Sequence, residues 1–242
     1  VGVYVLIRTY GMIFPVPTSI LIGVSIITML VGVFGALSQM SLKRLLSFHI
    51  VSQTGYMILG LALHTSLGLA AAIFHLLHNI VVKTNLLLLT SRFENEWKTD
   101  DLKKLGGLSR QTILYTLIFL ASALALAGLP PLSGFFSKLG IVQAAWQSGE
   151  YLALGAAFIT GLLTLMSMIK IWNEVFWKPA PKTSSKQISF NFANDLPLIF
   201  LSLLAVTAVF YVGPLMNFLS AVGDQILQPD DYIRAVLGRS TP

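Results

Sequence analysis

The chain has 242 residues, 55% of them hydrophobic and 11% charged, with a mean hydropathy of +0.77. A chain this apolar cannot cover its surface in water, which excludes a soluble globular protein and makes lipid the solvent it is built for. The formal charge of +6 is spread over short connections instead of one basic patch, so it reads as membrane topology and no nucleic-acid partner is expected. With no Cys, the chain cannot hold a Cys-ligated cluster, a zinc-thiolate site or a disulfide; no cofactor or metal is expected, and any redox chemistry falls to other subunits.

The apolar residues come in stretches of about 20, the length of a helix crossing a hydrocarbon layer of roughly 30 Å, and not in the alternating segments of a barrel. An all-α, polytopic transmembrane helix bundle of seven segments is therefore expected, at residues 1–15, 19–39, 43–64, 67–90, 112–147, 151–175 and 195–219. The first starts abruptly, with no Met and no signal-peptide pattern, so a longer protein is expected. Pro15, Pro17 and Thr18 separate the first two segments, residues 39–41 turn the second into the third, and residues 64–66 close the next hairpin. Such short connections make neighbours antiparallel.

Basic residues fall on alternate connections. Lys43 and Arg44, then Arg92, Lys98, Lys103, Lys104 and Arg110, then Lys178, Lys182 and Lys186 share one side, which the positive-inside rule makes cytoplasmic. The tail, with Arg234 and Arg239, then lies on the other side, the periplasm of a bacterium. The run FENEWKTDDLKKLGG mixes both signs and reads as a solvated interfacial loop, with a docking surface as the alternative. Residues 178–194 are rich in Pro, Ser, Lys and Asn and read as a linker.

Charge at membrane depth is penalised by about 2.5–3.5 kcal/mol for a lysine, so each such group requires a reason. Lys83 is too deep in the fourth segment to snorkel. On a helix His75, Asn79 and Lys83 are spaced i, i+4, i+8 and form a polar stripe roughly 12 Å long, with His78 beside it. Imidazoles exchange protons near neutral pH, and burial disfavours an ammonium, so the stripe has the parts of a proton relay. Interhelical hydrogen bonding alone is the plainer reading.

Lys138 lies in a segment interrupted at its middle. Pro130 and Pro131 supply no donors and bar Leu129 from helical geometry, while Gly128, Ser133 and Gly134 let the chain reorganise, so a discontinuous helix is expected over 128–134. Breaks at mid-depth recur at ion and substrate sites; a simple proline kink is the alternative. Ser133 is placed to cap the second half. His49 and Gln53, at i and i+4, could extend the polar path. Lys170 and Glu174, also i, i+4, read as a snorkelling pair. Gly32, Gly35, Gly55 and Gly60 read as close helix contacts.

The motifs VGVYVLIR, SLKRLLSFHIVSQTGYMILGLAL, FHLLHNIVVKTNLLLL, DLKKLGGL and AGLPPLSGFFSKLGI resemble, in sequence and order, the proton-conducting antiporter-like membrane subunits. That family includes subunits of complex I and the large subunits of Mrp-type multisubunit Na+/H+ antiporters; FHIVSQTGYM and HNIVVKTN look most like the D-type Mrp subunit. The resemblance implies a fourteen-helix fold with two inverted five-helix repeats, each holding a broken helix and a buried lysine. The present chain then looks like its C-terminal half: the end of a helix at 1–15, the second repeat at 19–175, a cytoplasmic loop at 178–194, the final helix at 195–219 and a tail at 220–242. It further implies that Lys83 is the repeat's central lysine, Lys138 the lysine of the broken helix nearer the outlet, and His75 a member of the connecting relay. Where some relatives carry a second histidine four residues before the central lysine, this chain has Asn79.

The expected function is thus transport of protons, with exchange for Na+ completed by other membrane subunits of a hetero-oligomer in a bacterial inner membrane. The alternative is the pump module of an NADH:quinone oxidoreductase or a membrane hydrogenase, in which redox catalysis lies elsewhere because no nucleotide fingerprint is present. A retinal protein with Lys83 as its Schiff base lacks an intramembrane counter-ion.

Overall fold

The computed structural model describes residues 2–9, 17–179 and 191–228. Most of the linker read at 178–194, the end of the first segment and most of the tail lie outside them.

Among the described residues ten α-helices follow in order: α1 (Gly2–Thr9), α2 (Thr18–Ser38), α3 (Leu42–Ala62), α4 (Ser66–Trp97), α5 (Leu108–Gln111), α6 (Ile113–Ala127), α7 (Ser133–Gln147), α8 (Tyr151–Ile171), α9 (Phe192–Thr207) and α10 (Val212–Leu227). A π turn at Trp172–Trp177 prolongs α8, and a 3-10 turn at Ala208–Tyr211 joins α9 to α10. Five continuous helical stretches among these residues, Thr18–Ser38, Leu42–Ala62, Ser66–Trp97, Tyr151–Trp177 and Asp195–Leu227, are long and apolar enough to cross a membrane.

The bundle is arranged for lipid. On α2, Ile20, Val24, Ile27, Val31 and Phe34 recur at helical spacing and are exposed, whereas Ser25, Met29, Gly32, Val33 and Ala36 face inward. Large apolar side chains turned outward around small or polar ones turned inward are what a hydrocarbon solvent selects. Gly32 shows why smallness matters: a Cβ there would stand 2.6 Å from Ser52 Cα of α3, so a side chain would force the two helices apart.

α4 is longer than expected, running two turns beyond Thr90. Arg92 and Glu96 pair at i, i+4 (2.8 Å), and Phe93 packs with Trp97, Tyr115 and Phe176, so SRFENEW is held as helix by contacts its polarity does not announce. Lys98, in the left-handed region at φ 55°, ends it.

The following connection is not a solvated loop. Leu102, Leu105 and Leu108 are buried in the bundle's end, and backbone hydrogen bonds join Leu42 N to Asp100 O (2.9 Å) and Leu102 N to Met40 O (2.8 Å). The charges of DLKKLGGL face out while its leucines plug the helix ends. Glycine at 107 adopts φ 73° at the turn into α5.

The last rod is also longer than 195–219, continuing through Leu227; Pro214 falls in the first turn of α10, where a missing donor is tolerated. The rod lies antiparallel along all of α4: Ser66 bonds Ser220 O (3.0 Å), Asn85 bonds Ser202 (2.6 Å), and Arg92 meets Asp195 (3.5 Å).

Two apolar clusters occupy the ends of the interior. One gathers Leu42, Leu45 and Leu46 of α3 with Val82, Leu86, Leu89 and Phe93 of α4; the other gathers Tyr56, Leu59 and Ala62 with Ala71, Ile141 and Ala144. Between them α3 and α4 present His49, Ser52, Gln53, His75 and Asn79, all buried. A polar layer at mid-depth is thus sealed by hydrocarbon on both sides.

Candidate functional site

The layer is organised by the interruption between α6 and α7. Gly128 takes φ 85°, and Gly128 N and Leu129 N both bond back to Leu124 O (3.0 and 3.1 Å), closing α6 as glycine closes helices elsewhere. Pro130 and Pro131 cannot continue the helix, and α7 restarts at Ser133. The expected discontinuous helix is present.

Helix ends leave carbonyls without intrahelical donors. Lys138, 8% exposed, reaches back from α7 and donates from Nζ to Leu126 O and Ala127 O, each at 2.9 Å. Its amine therefore sits on the negative end of the α6 dipole, 5.1 Å from the centroid of the Tyr56 ring. The Tyr56 hydroxyl in turn donates to Ala157 O of α8. A cavity of about 190 Å³ adjoins Lys138, lined by Tyr56, Gly128, Phe135, Ala157, Phe158 and Leu162 among others.

His75 bridges three helices: Nδ1 is 2.8 Å from Ser137 Oγ of α7, and Nε2 is 3.0 Å from Gln53 Oε1 of α3. His78, on the neighbouring face of α4, places Nδ1 3.0 Å from Ser133 Oγ. Asn79 does not bridge; its Nδ2 donates to His75 O of its own helix (2.8 Å). Lys83, half-buried, donates from Nζ to His49 O of α3 (2.7 Å), and His49 Nε2 is 2.5 Å from Ser167 Oγ of α8.

The structure thus gathers Lys83, His49, Gln53, His75, His78 and Lys138 into one interior. Three residues on one face of α3 line it, since His49, Gln53 and Tyr56 are spaced i, i+4, i+7. Several buried polar atoms have no hydrogen-bond partner among the described residues: His49 Nδ1, Ser52 Oγ, Gln53 Nε2, Asn79 Oδ1 and Thr160 Oγ1. Unpaired polar groups of this kind are expensive in a dry interior.

Two readings are corrected. Ser133 does not cap α7; Leu132 holds the cap position with no side-chain bond, and the serine hydroxyl lies instead between His78 and Ala205 O (3.2 Å). Lys170 does not pair with Glu174. It donates to Leu37 O and Gln39 O at the end of α2 (2.9 and 2.7 Å), while Glu174 pairs with Lys178 (3.1 Å). Free carbonyls at a helix end compete well for an ammonium and are invisible in sequence.

Sequence reasoning missed Tyr56, Ser137, Ser167 and the node where Asn85 donates to Ser122 (2.9 Å) and Ser202 (2.6 Å). A signal existed for one of them: Thr160, Thr164 and Ser167 recur at i, i+4, i+7 on an apolar helix.

Outward hydrocarbon, a sealed polar interior and a helix interrupted at its depth define a multi-pass α-helical membrane protein with a discontinuous helix. Residues 1–164 match the family described as NADH:quinone oxidoreductase/Mrp antiporter, transmembrane. The chain is 41% identical over 242 residues to the D-type Na+/H+ antiporter subunit of Alkalihalophilus pseudofirmus, covering 98% of this chain and 49% of the relative. It is 29% identical over 244 residues to the D-type Na+/H+ antiporter subunit of Bacillus subtilis strain 168, with the same coverages. Among solved structures, it superposes on a chain of the Mrp complex from Dietzia sp. DQ12-45-1b with TM-score 0.89 and 30% identity, over 98% of this chain and 53% of that one. Its fold also matches a chain of respiratory complex I from Thermus thermophilus, with TM-score 0.85 and 21% identity over 94% of this chain and 49% of that one. The chain belongs to the NADH:quinone oxidoreductase/Mrp antiporter transmembrane family, and spans about half the length of the curated relatives it matches.

Proposed function

We propose that the chain is the proton-translocating part of one subunit in a multisubunit Na+/H+ antiporter, working beside other membrane subunits in a bacterial inner membrane. Protons pass between Lys83 and Lys138 through His49, Gln53, His75 and Ser137, with His78 and Asn79 at its flank. The observation that carries this reading is that both intramembrane lysines rest their amines on backbone carbonyls at the edge of one polar layer, where no carboxylate among the described residues pairs with them. Such an amine can change protonation without breaking an ion pair. Identity with relatives named as Na+/H+ antiporter subunits supports the antiporter over the oxidoreductase reading. A Na+ site prefers oxygen ligands. Among the described residues no carboxylate is buried in this layer, Asp195 being held at the basic end, which supports protons as the ion carried here.

The orientation proposed puts the basic connections in the cytoplasm. Three contacts join them at one end of the bundle: Lys43 with Glu94, Lys178 with Lys103 O (2.9 Å), and Ser109 with Phe176 O (2.6 Å).

The test is Na+-dependent proton exchange in membrane vesicles carrying the full-length protein in its complex. Lys83→Ala and Lys138→Ala are each expected to abolish exchange while the complex assembles at the wild-type level. Normal exchange in both variants removes the lysines from the path.

A further inference from the structure

The three buried histidines among the described residues share one arrangement. Each presents a ring nitrogen to a serine hydroxyl whose oxygen also lies within hydrogen-bond reach of a backbone carbonyl. Ser167 Oγ stands 2.5 Å from His49 Nε2 and 2.8 Å from Thr164 O. Ser137 Oγ stands 2.8 Å from His75 Nδ1 and 3.0 Å from Gly134 O. Ser133 Oγ stands 3.0 Å from His78 Nδ1 and 3.2 Å from Ala205 O. Serines inside helices commonly bond back to their own helix. Here, however, an imidazole faces the same oxygen in every case, the Ser133 carbonyl comes from a different helix, and all three serines are buried.

A hydroxyl carries one hydrogen and cannot give it to both neighbours. When the ring nitrogen is bare, the hydrogen serves the imidazole; when the nitrogen bears a proton, it donates to the serine oxygen and the hydroxyl turns to the carbonyl. The bond between the serine oxygen and the facing ring nitrogen is kept in both states, so that nitrogen does not lose its partner as the histidine changes charge.

We propose that Ser133, Ser137 and Ser167 are relay residues that switch with the protonation of His78, His75 and His49. The proposal rests on the proton path stated above. In one step, a hydronium in the interior gives a proton to the serine oxygen and becomes water, as the serine's own hydrogen passes to the imidazole nitrogen. One hydronium O–H and one serine O–H break, a new serine O–H and an N–H form, the positive charge moves to the imidazolium, and the new O–H turns to the carbonyl. The reverse sequence releases the proton. Gln53 Oε1 accepts at the far nitrogen of His75 in either state.

The experiment uses the same vesicles and the complete complex. Ser137→Ala and Ser167→Ala, which keep the volume and remove the hydroxyl, are each expected to slow exchange about tenfold, as loss of a buried hydrogen-bond partner does. Ser137→Thr and Ser167→Thr, which keep the hydroxyl, are expected to recover most of the rate. Infrared difference spectra of the imidazole ring modes are expected to shift in the alanine variants and not in the threonine ones, a signature that packing alone does not move. Wild-type rates in the alanine variants, in a preparation where Lys83→Ala and Lys138→Ala have lost exchange, overturn the serine relay and leave the lysine path standing. Equal loss in alanine and threonine variants with unchanged ring bands overturns it too. Normal exchange in the lysine variants removes the path and the relay together.

Discussion

Lys138 binds two carbonyls that exist only because α6 stops at Ala127, and the stop depends on Gly128 at φ 85°. Gly128→Ala brings a left-handed residue with a Cβ, a strain of about 1–2 kcal/mol, and places that Cβ 2.7 Å from Lys138 Cδ. The variant is expected to lose that much stability, measured by thermal unfolding in detergent, and to slow exchange because the amine is displaced from its cradle. Ion pairs at the basic end divide by burial. Asp195 is fully buried and accepts from Tyr115 (2.8 Å) and Asn191 N (2.7 Å) beside Arg92, so Asp195→Ala is expected to destabilise by about 3 kcal/mol. The Lys43–Glu94 pair leaves its side chains 46% and 36% exposed, and Lys43→Ala is expected to change stability by about 0.5 kcal/mol or less. Comparing the two unfolding midpoints checks both.

Among the elements, α4 holds the arrangement together. One face carries His75 and Lys83 toward α3 and α7, and another carries His78, Asn85 and Arg92, spaced by seven, toward α6, α7 and the final rod. The plug that follows it closes the basic end of the bundle with Leu102, Leu105 and Leu108. Leu102→Ala is expected to destabilise by about 2–5 kcal/mol, as large-to-small changes at fully buried sites do. Faster proteolysis of the 98–111 connection in inside-out vesicles is the measurement; unchanged cleavage would show that its burial adds little. The aromatic stack of Phe119, Trp172 and Phe176 fixes the π turn at the end of α8 against the same plug.

The described bundle has a basic end and a polar middle, and the proposed orientation rests on the first. This chain contributes no Cys, so single substitutions, made in a full-length protein whose other cysteines are replaced, report on sidedness directly. Lys104→Cys, exposed at the basic end, is expected to react with a membrane-impermeant maleimide only from the cytoplasmic face. Gln147→Cys, exposed at the far end of α7, is expected to react only from the opposite face. The reverse pattern would invert the proposed topology and the direction of the path with it.

Hydropathy, proline and buried charge act through the local chain, so the solvent, the helical class, the interrupted helix and the two lysines that lipid penalises were legible in the amino-acid order. How these meet depends on packing. Gln53 and His75 are 22 residues apart, His49 and Ser167 118 apart, and their bonds depend on which helix faces come together. The same holds for Lys170, whose carbonyl partners on α2 displaced the nearer Glu174, and for SRFENEW and DLKKLGGL, whose polar letters concealed a helix and a buried plug. Local pattern fixes what a residue costs to bury; only packing supplies the partner that makes the burial tolerable.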